Sequence, residues 1–183
     1  DRTFMHAWVR REGRALMYAG LALKNDHQLV LTAVKQNGNA LKHASPAMKD
    51  DRDIVLSAVQ NDGLALFNAS TTIKNSDREI VLAAVKQNGN ALFHTSDEFK
   101  DDPDIVLEAV KNDGTALYFA SQSCTEYRKI VIEAVKQDRG AIYYASGCLQ
   151  EDDVIKTYAG KGIPLLCERI EKDASSFDPE TLE

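Results

Sequence analysis

The chain has 183 residues, of which 44% are apolar, and its formal net charge at neutral pH is −6. This apolar fraction excludes an intrinsically disordered chain, and no apolar run reaches the roughly 18 residues that a membrane-spanning helix needs. The acidic balance argues against nonspecific binding to nucleic acid, which requires a net positive surface.

A unit of 25 residues recurs along the chain, with Ser76 inserted in the third copy. The six copies begin at Asp1, Asp26, Asp51, Asp77, Asp102 and Tyr127. Recurrence at such a period indicates that each unit buries its apolar residues against its neighbours. The sequence therefore predicts an all-α fold, a right-handed-type helical-repeat solenoid with two short helices per unit.

Each unit opens with a predicted helix, best seen in DREIVLAAVKQNG at 77–89. Asp77 is expected to cap the helix, and the run IVLAAV covers an arc of roughly 200° at about 100° per residue. So wide an arc indicates a helix flanked on both sides by copies of itself. Gly89 is expected to end the helix with a positive φ. The predicted structural turn residues are Gly13, Gly38, Gly63, Gly89, Gly114 and Gly140, the last arriving one residue late after a longer helix.

A second helix follows at once, and its Ala and Leu supply a narrow core face. Between them and the next turn lies a variable pair: Met17-Tyr18, Lys42-His43, Phe67-Asn68, Phe93-His94, Tyr118-Phe119 and Tyr143-Tyr144. At least one member of each pair is expected to point outward or toward a neighbouring unit. Because exposed aromatic residues are enriched at interface hot spots, a partner-binding surface is predicted at Phe67, Phe93, Tyr118, Phe119, Tyr143 and Tyr144. The alternative is a ladder of rings that only packs the units together.

An apolar anchor closes each unit: Leu23, Met48, Ile73, Phe99, Cys124 and Leu149. Ser45-Pro46 predicts that the anchor lies on a short turn of its own, with Ser as the cap. After Glu151 the pattern degrades. The predicted organisation is a six-repeat α-solenoid over 1–151, C-terminal capping helices over 152–170, and an acidic tail over 171–183.

The run DREIVLAAVKQNGNAL at 77–92 resembles the consensus of the domain-of-unknown-function 4116 repeat family, and the likeness recurs over residues 1–151. The resemblance implies tandem helical repeats and attaches no catalytic residue to them. This chain departs from the pattern at Tyr127, which replaces the capping Asp, and at Arg139-Gly140.

No constellation of side chains predicts catalysis. The histidines are His6, His27, His43 and His94, and none has a neighbour at metal-ligand spacing. The predicted protein is a non-enzyme without a cofactor or metal. Its cysteines, Cys124, Cys148 and Cys167, form no disulfide framework, so a soluble protein of a reducing compartment or organelle interior is favoured over a secreted one.

Basic residues recur in two columns. The first is Arg10, Lys35, Lys86, Lys111, Lys136 and Lys161, interrupted by Gln60, and the second is Lys24, Lys49, Lys74 and Lys100. Acidic residues at Glu79, Asp104, Glu108 and Glu133 share the helix face of the first column. Pairing three or four residues apart then favours a solvated face over nucleic-acid binding.

We therefore expect a non-catalytic scaffold that binds protein partners without membrane insertion, as an accessory subunit of a larger assembly. The alternative is a repeat arm of a longer multidomain enzyme or secreted effector whose chemistry lies outside this chain.

Overall fold

The computed structural model describes residues 2–160, and this part of the chain consists of helices and the turns that join them. The predicted helical-repeat solenoid is confirmed. Each unit holds a first helix of 10 or 11 residues and a 3₁₀-helix of 6 residues. Every unit but the fifth adds a short α-helix that carries the apolar anchor, where the sequence had predicted a turn.

The first helices are Arg2–Arg11, His27–Gln36, Arg52–Asn61, Arg78–Gln87, Pro103–Asn112 and Tyr127–Gln137, and Asp153–Ala159 follows in the same role. The 3₁₀-helices are Gly13–Tyr18, Gly38–His43, Gly63–Asn68, Gly89–His94, Gly114–Phe119 and Arg139–Tyr144. The short helices are Leu21–Lys24, Pro46–Lys49, Thr71–Ser76, Asp97–Asp101 and Gly147–Gln150.

The aspartates at the unit boundaries cap the first helices, as predicted. The side chain of Asp77, for example, accepts a hydrogen bond from the backbone N–H of Ile80 at 3.1 Å. The exception is the sixth unit, whose first helix begins at Tyr127 itself, preceded by a residue that provides no side-chain cap. This helix is one residue longer at its start, not at its end as expected, so Arg139 and not Gly140 occupies the glycine position.

The first helices form a single row in which each contacts the next one and the 3₁₀-helices of its own and the preceding unit. Both sides of the apolar arc are therefore covered. In the fourth unit Ile80, Val81, Ala84 and Val85 are all fully buried. Burial on two sides explains why the apolar residues cover about twice the arc of an ordinary surface helix.

The expected positive φ at the glycines is wrong, since Gly160 is the only residue with a positive φ in the described part of the chain. The first helix ends instead on Asn88, whose extended backbone (φ −151°) also caps the 3₁₀-helix that starts at Gly89. Glycine is required there by a close approach between units. A Cβ on Gly89 would lie 2.4 Å from the carbonyl oxygen of Ala109 in the next unit.

Side-chain amides at the ends of four first helices connect neighbouring units, those of Asn61, Gln87, Asn112 and Gln137. Asn112 accepts the N–H of Gly89 at 2.7 Å and donates to the carbonyl of Lys86 at 3.0 Å. Asn61 makes the same two bonds to the second unit. The carbonyls at a helix end lack hydrogen-bond partners within the helix. The amide therefore gives a partner to a carbonyl at the end of the preceding unit's first helix.

Arginines near the start of the first helices form ion pairs with the capping aspartates of the following unit. Arg78 donates to Asp102 at 3.0 Å and to Asp104 at 2.9 Å, and Arg2 and Arg128 make equivalent pairs with Asp26 and Asp152. The sequence analysis had paired acidic residues only within a helix. This pair is missing at the junction between the fifth and the sixth unit, because Pro103 stands in the arginine position of the fifth and Tyr127 in the aspartate position of the sixth.

We expect Asp102→Ala to lower the free energy of unfolding at neutral pH by about 1 kcal/mol, the usual effect of losing a helix cap. Burial raises the pKa of Asp102, but hydrogen bonds from Arg78 and from the N–H of Ile105 hold that pKa below its ordinary value. A carboxyl with a lowered folded-state pKa stabilises above its ordinary pKa of about 4, and the effect is lost as the pH falls through the lowered pKa.

Urea unfolding at a series of pH values measures this effect. The gap between the two proteins should close in acid, whereas Glu98→Ala, at an exposed residue without an ion pair in the described chain, should match the parent throughout. A gap that persists unchanged at a pH of about 2 would show that the carboxylate charge contributes nothing.

Beyond the sixth unit, Asp152 caps the helix Asp153–Ala159, and Ile155 and Ala159 are buried at repeat spacing. The rest of the predicted capping helices and the acidic tail lie outside the described residues, so the predicted domain division stays a prediction. Cys124 is buried, as expected of an apolar anchor, and Cys148 is exposed. Neither forms a disulfide.

Candidate interaction surface

The 3₁₀-helices determine which members of the variable pairs reach the surface. With three residues per turn, positions three apart lie on one face. In the fourth unit Gly89 and Leu92 share the face that is buried in the core. Ala91 and His94 share a second face, on which Ala91 is buried and His94 is half-buried. The third face carries Phe93, which is therefore left in solvent.

The six residues predicted to bind a partner all lie on this row of 3₁₀-helices. The exposed ones are Phe67, Phe93, Tyr118 and Tyr144, at 61%, 56%, 67% and 40% of their full accessibility. Phe119 and Tyr143 are half-buried and pack against the core. One member of each aromatic pair is thus exposed, but the order is reversed in the sixth unit, where Tyr143 matches Phe93 in position and is half-buried while Tyr144 is exposed. The prediction that these residues bind a partner stays a prediction.

The rings also contact one another from unit to unit, so part of the alternative interpretation holds. Phe93 lies 5.2 Å, between ring centroids, from Phe119 of the next unit, and Tyr118 lies 5.5 Å from Tyr144. Phe67 meets His94 in the same way at 5.0 Å. Within a unit the two rings of a pair meet edge to face. The result is a continuous zigzag from Phe67 to Tyr144, which we call the ring column.

The N-terminal end carries a separate group of rings. Trp8 occupies a position that is alanine in the five following units, and its indole stacks on Tyr18 with centroids 5.3 Å apart and planes 5° from parallel. Phe4 contacts Trp8 at 5.7 Å. In later units, the last ring of a 3₁₀-helix contacts a ring of the preceding unit, as Phe119 contacts Phe93. Tyr18 has no preceding unit in the described chain, and Trp8 provides the corresponding contact. The sequence signal for this group is the single Trp in a position that is otherwise alanine.

Two histidines take the half-buried position of their pairs. Burial lowers the pKa of His94, and nearby Lys74 lowers it further. Burial likewise lowers the pKa of His43, helped by Lys42, Lys24 and Lys49. Both imidazoles are therefore held toward their neutral form, which can be partly buried without the cost of desolvating a charge.

The chemistry available on this surface is that of packing and hydrogen bonding. Among residues 2–160, no group of three or more histidine, cysteine or carboxylate side chains is placed to hold a metal ion. The lysines of the first helices pair as expected at Glu108–Lys111 (2.8 Å) and Glu133–Lys136 (3.3 Å).

Over the described range, no helix is both long and apolar enough to span a membrane.

Comparison with known proteins gives one match. A family model described as a domain of unknown function (DUF4116) matches residues 1–49, 28–74, 51–100, 77–125 and 102–150. Each match covers two successive units, so five overlapping matches account for the six units. No curated protein and no solved structure matches the chain.

Proposed function

The chain belongs to the DUF4116 family of tandem repeats, and from that premise we propose that it is a non-catalytic scaffold that binds protein partners through the ring column. In this proposal it acts as an accessory subunit of a larger assembly. The observation that carries the proposal is the exposure of four large rings along the row of 3₁₀-helices.

The exposed rings are not needed to close the core. In the 3₁₀-helices, the core positions are held by fully buried Ala and Leu or Ile side chains such as Ala91 and Leu92. A large apolar side chain left in solvent gains the most when another molecule covers it. The tyrosines add a hydroxyl that can bond to water before binding and to a partner afterwards.

The form of the surface also suits an interaction role. The ring column follows the row of 3₁₀-helices over the third to sixth units, so its rings form one strip and are not scattered singly. Contiguous exposed apolar patches are typical of interaction sites. Repeat proteins commonly use such extended faces for binding.

Replacement of Phe93 and Tyr118 by Ala in the full-length protein tests this role. We expect the proteins that co-purify with the parent from its native cells, after chemical crosslinking, to be lost from this variant. The variant loses four ring contacts. Because these rings lie largely in solvent, each contact should contribute only about 0.5 kcal/mol, so the melting temperature should fall by roughly 4–8 °C.

The matched control is Tyr158→Ala, which removes an exposed ring from the seventh first-helix position, where it lies 5.3 Å from the Lys136 ammonium. This variant should retain the co-purifying proteins. Retention of the same proteins by the Phe93 and Tyr118 variant would contradict the proposal. A fall of several kcal/mol in its stability would leave the rings with a packing role only.

A further inference from the structure

A lysine replaces a ring at the next position of the ring column toward the N-terminus. In the second unit the variable pair is Lys42 and His43. Lys42 is exposed and forms no ion pair with any residue in 2–160. The face is thus aromatic over the third to sixth units and basic beside them.

The short helices add a row of lysines along the same edge. Lys74 Nζ donates to the carbonyl of Phe67 at 3.3 Å, at the start of the ring column. Lys24 and Lys49 hold the equivalent places in the first two units, and both act on the pKa of His43 together with Lys42. Lys100 and Phe119 line one shallow depression farther along. The lysine row therefore runs beside the variable pairs.

Acidic residues are most numerous at the far end of this row, and beside its first three lysines only Asp50 follows a lysine directly. The short helices Leu21–Lys24, Pro46–Lys49 and Thr71–Ser76 contain no carboxylate, and none of their lysines forms an ion pair within the described chain. The short helix Asp97–Asp101 contains three carboxylates, and its Lys100 pairs with Asp97 at 3.3 Å. The unbalanced positive charge is therefore confined to the first three units, which we call the basic end.

We propose that this face binds an extended peptide segment in which a cluster of carboxylates lies next to a run of large apolar side chains. The carboxylates lie on Lys24, Lys42 and Lys49 of the basic end, and the apolar side chains cover the ring column. The inference rests on the proposed scaffold function and names the chemistry of the partner.

Charge and ring geometry favour such a peptide over a single-stranded nucleic acid. A phosphate backbone carries charge along its whole length, yet the second half of the face presents Asp97, Glu98 and Asp101. Bases bind by stacking on free aromatic faces. Here neighbouring rings meet at 5.0–5.5 Å in tilted or edge-to-face contacts, which leaves no gap for a base between them.

Selection from a random peptide library displayed on phage, with the full chain as bait, tests this chemistry. The parent should enrich peptides that place Asp or Glu beside Phe, Leu or Trp, and their affinity should fall as salt is added. Lys42→Gln with Lys49→Gln should lose the preference for acidic residues and weaken such peptides by about three- to tenfold, while the apolar preference remains. Phe93→Ala with Tyr118→Ala should lose the preference for apolar residues and keep the preference for acidic residues.

Lys35→Gln with Lys86→Gln is the matched control, because both lysines are exposed at the ends of first helices, away from the short helices. It should select the same peptides as the parent. Enrichment without acidic residues, or no enrichment, would overturn the proposal. So would binding of an oligothymidylate that depends on Lys42 and Lys49. If co-purification still depends on Phe93 and Tyr118 in any of these cases, the scaffold function stands and only the partner chemistry is wrong.

Discussion

Gly89→Ala is expected to lower the free energy of unfolding by about 2–3 kcal/mol, a large effect for the addition of one methyl group. The new Cβ would lie 2.4 Å from the Ala109 carbonyl oxygen and 3.2 Å from the Asp113 Cβ, both in the next unit. Backbone on both sides would have to separate, because the obstructing oxygen belongs to a rigid helix. That separation would also lengthen the 2.7 Å bond from the Gly89 N–H to Asn112.

Gly147→Ala provides the matched control for this change. Nothing lies within 4 Å of a Cβ at Gly147, which is the first residue of a short helix. Alanine there is expected to leave stability unchanged or raise it by up to about 1 kcal/mol. Chemical unfolding followed by circular dichroism measures both variants. Equal stability of Gly89→Ala and the parent would show that the units separate at little cost at this point.

Leu92→Ala is expected to lower the free energy of unfolding by about 2–5 kcal/mol, as is usual for a buried large-to-small change. Leu92 is fully buried between its own first helix and the next unit. The neighbouring Phe93 projects from the same 3₁₀-helix with most of its ring in solvent. Phe93→Ala should therefore lower stability by no more than about 1 kcal/mol.

The same unfolding measurement compares the two adjacent residues directly. It tests whether the 3₁₀-helix divides its side chains between stability and surface as its three faces indicate. A larger loss from Phe93→Ala than from Leu92→Ala would reverse that assignment. It would also remove the argument that the exposed rings are available to a partner.

The sequence predicted those features of the fold that depend on one unit at a time. Periodic apolar residues predicted the first helices, and the capping role of Asp77 followed from its place before an apolar run. The error over Gly89 has a physical cause. Glycine after a helix usually indicates a left-handed turn, but here the constraint comes from the Ala109 carbonyl about 20 residues away. A pattern within one unit cannot distinguish the two requirements.

The candidate surface was predictable to a similar extent. The variable pairs could be recognised because the flanking Ala and Leu already account for the core. The zigzag contact of Phe93 with Phe119 could not be recognised, since it depends on how far each unit is rotated from the last. The same holds for the pairing of Arg78 with Asp102, which joins residues 24 apart.

The junctions between units carry most of the specific contacts in this chain: the glycine against a helix carbonyl, the bridging amide, the arginine–aspartate pair and the contact between rings. Each of them joins a residue to its neighbour one unit later. Duplication or loss of one unit during evolution would thus reproduce junctions that already exist. The ring column would lengthen or shorten in step, so recombination would alter the length of this aromatic surface without any change in the contacts that hold the array together.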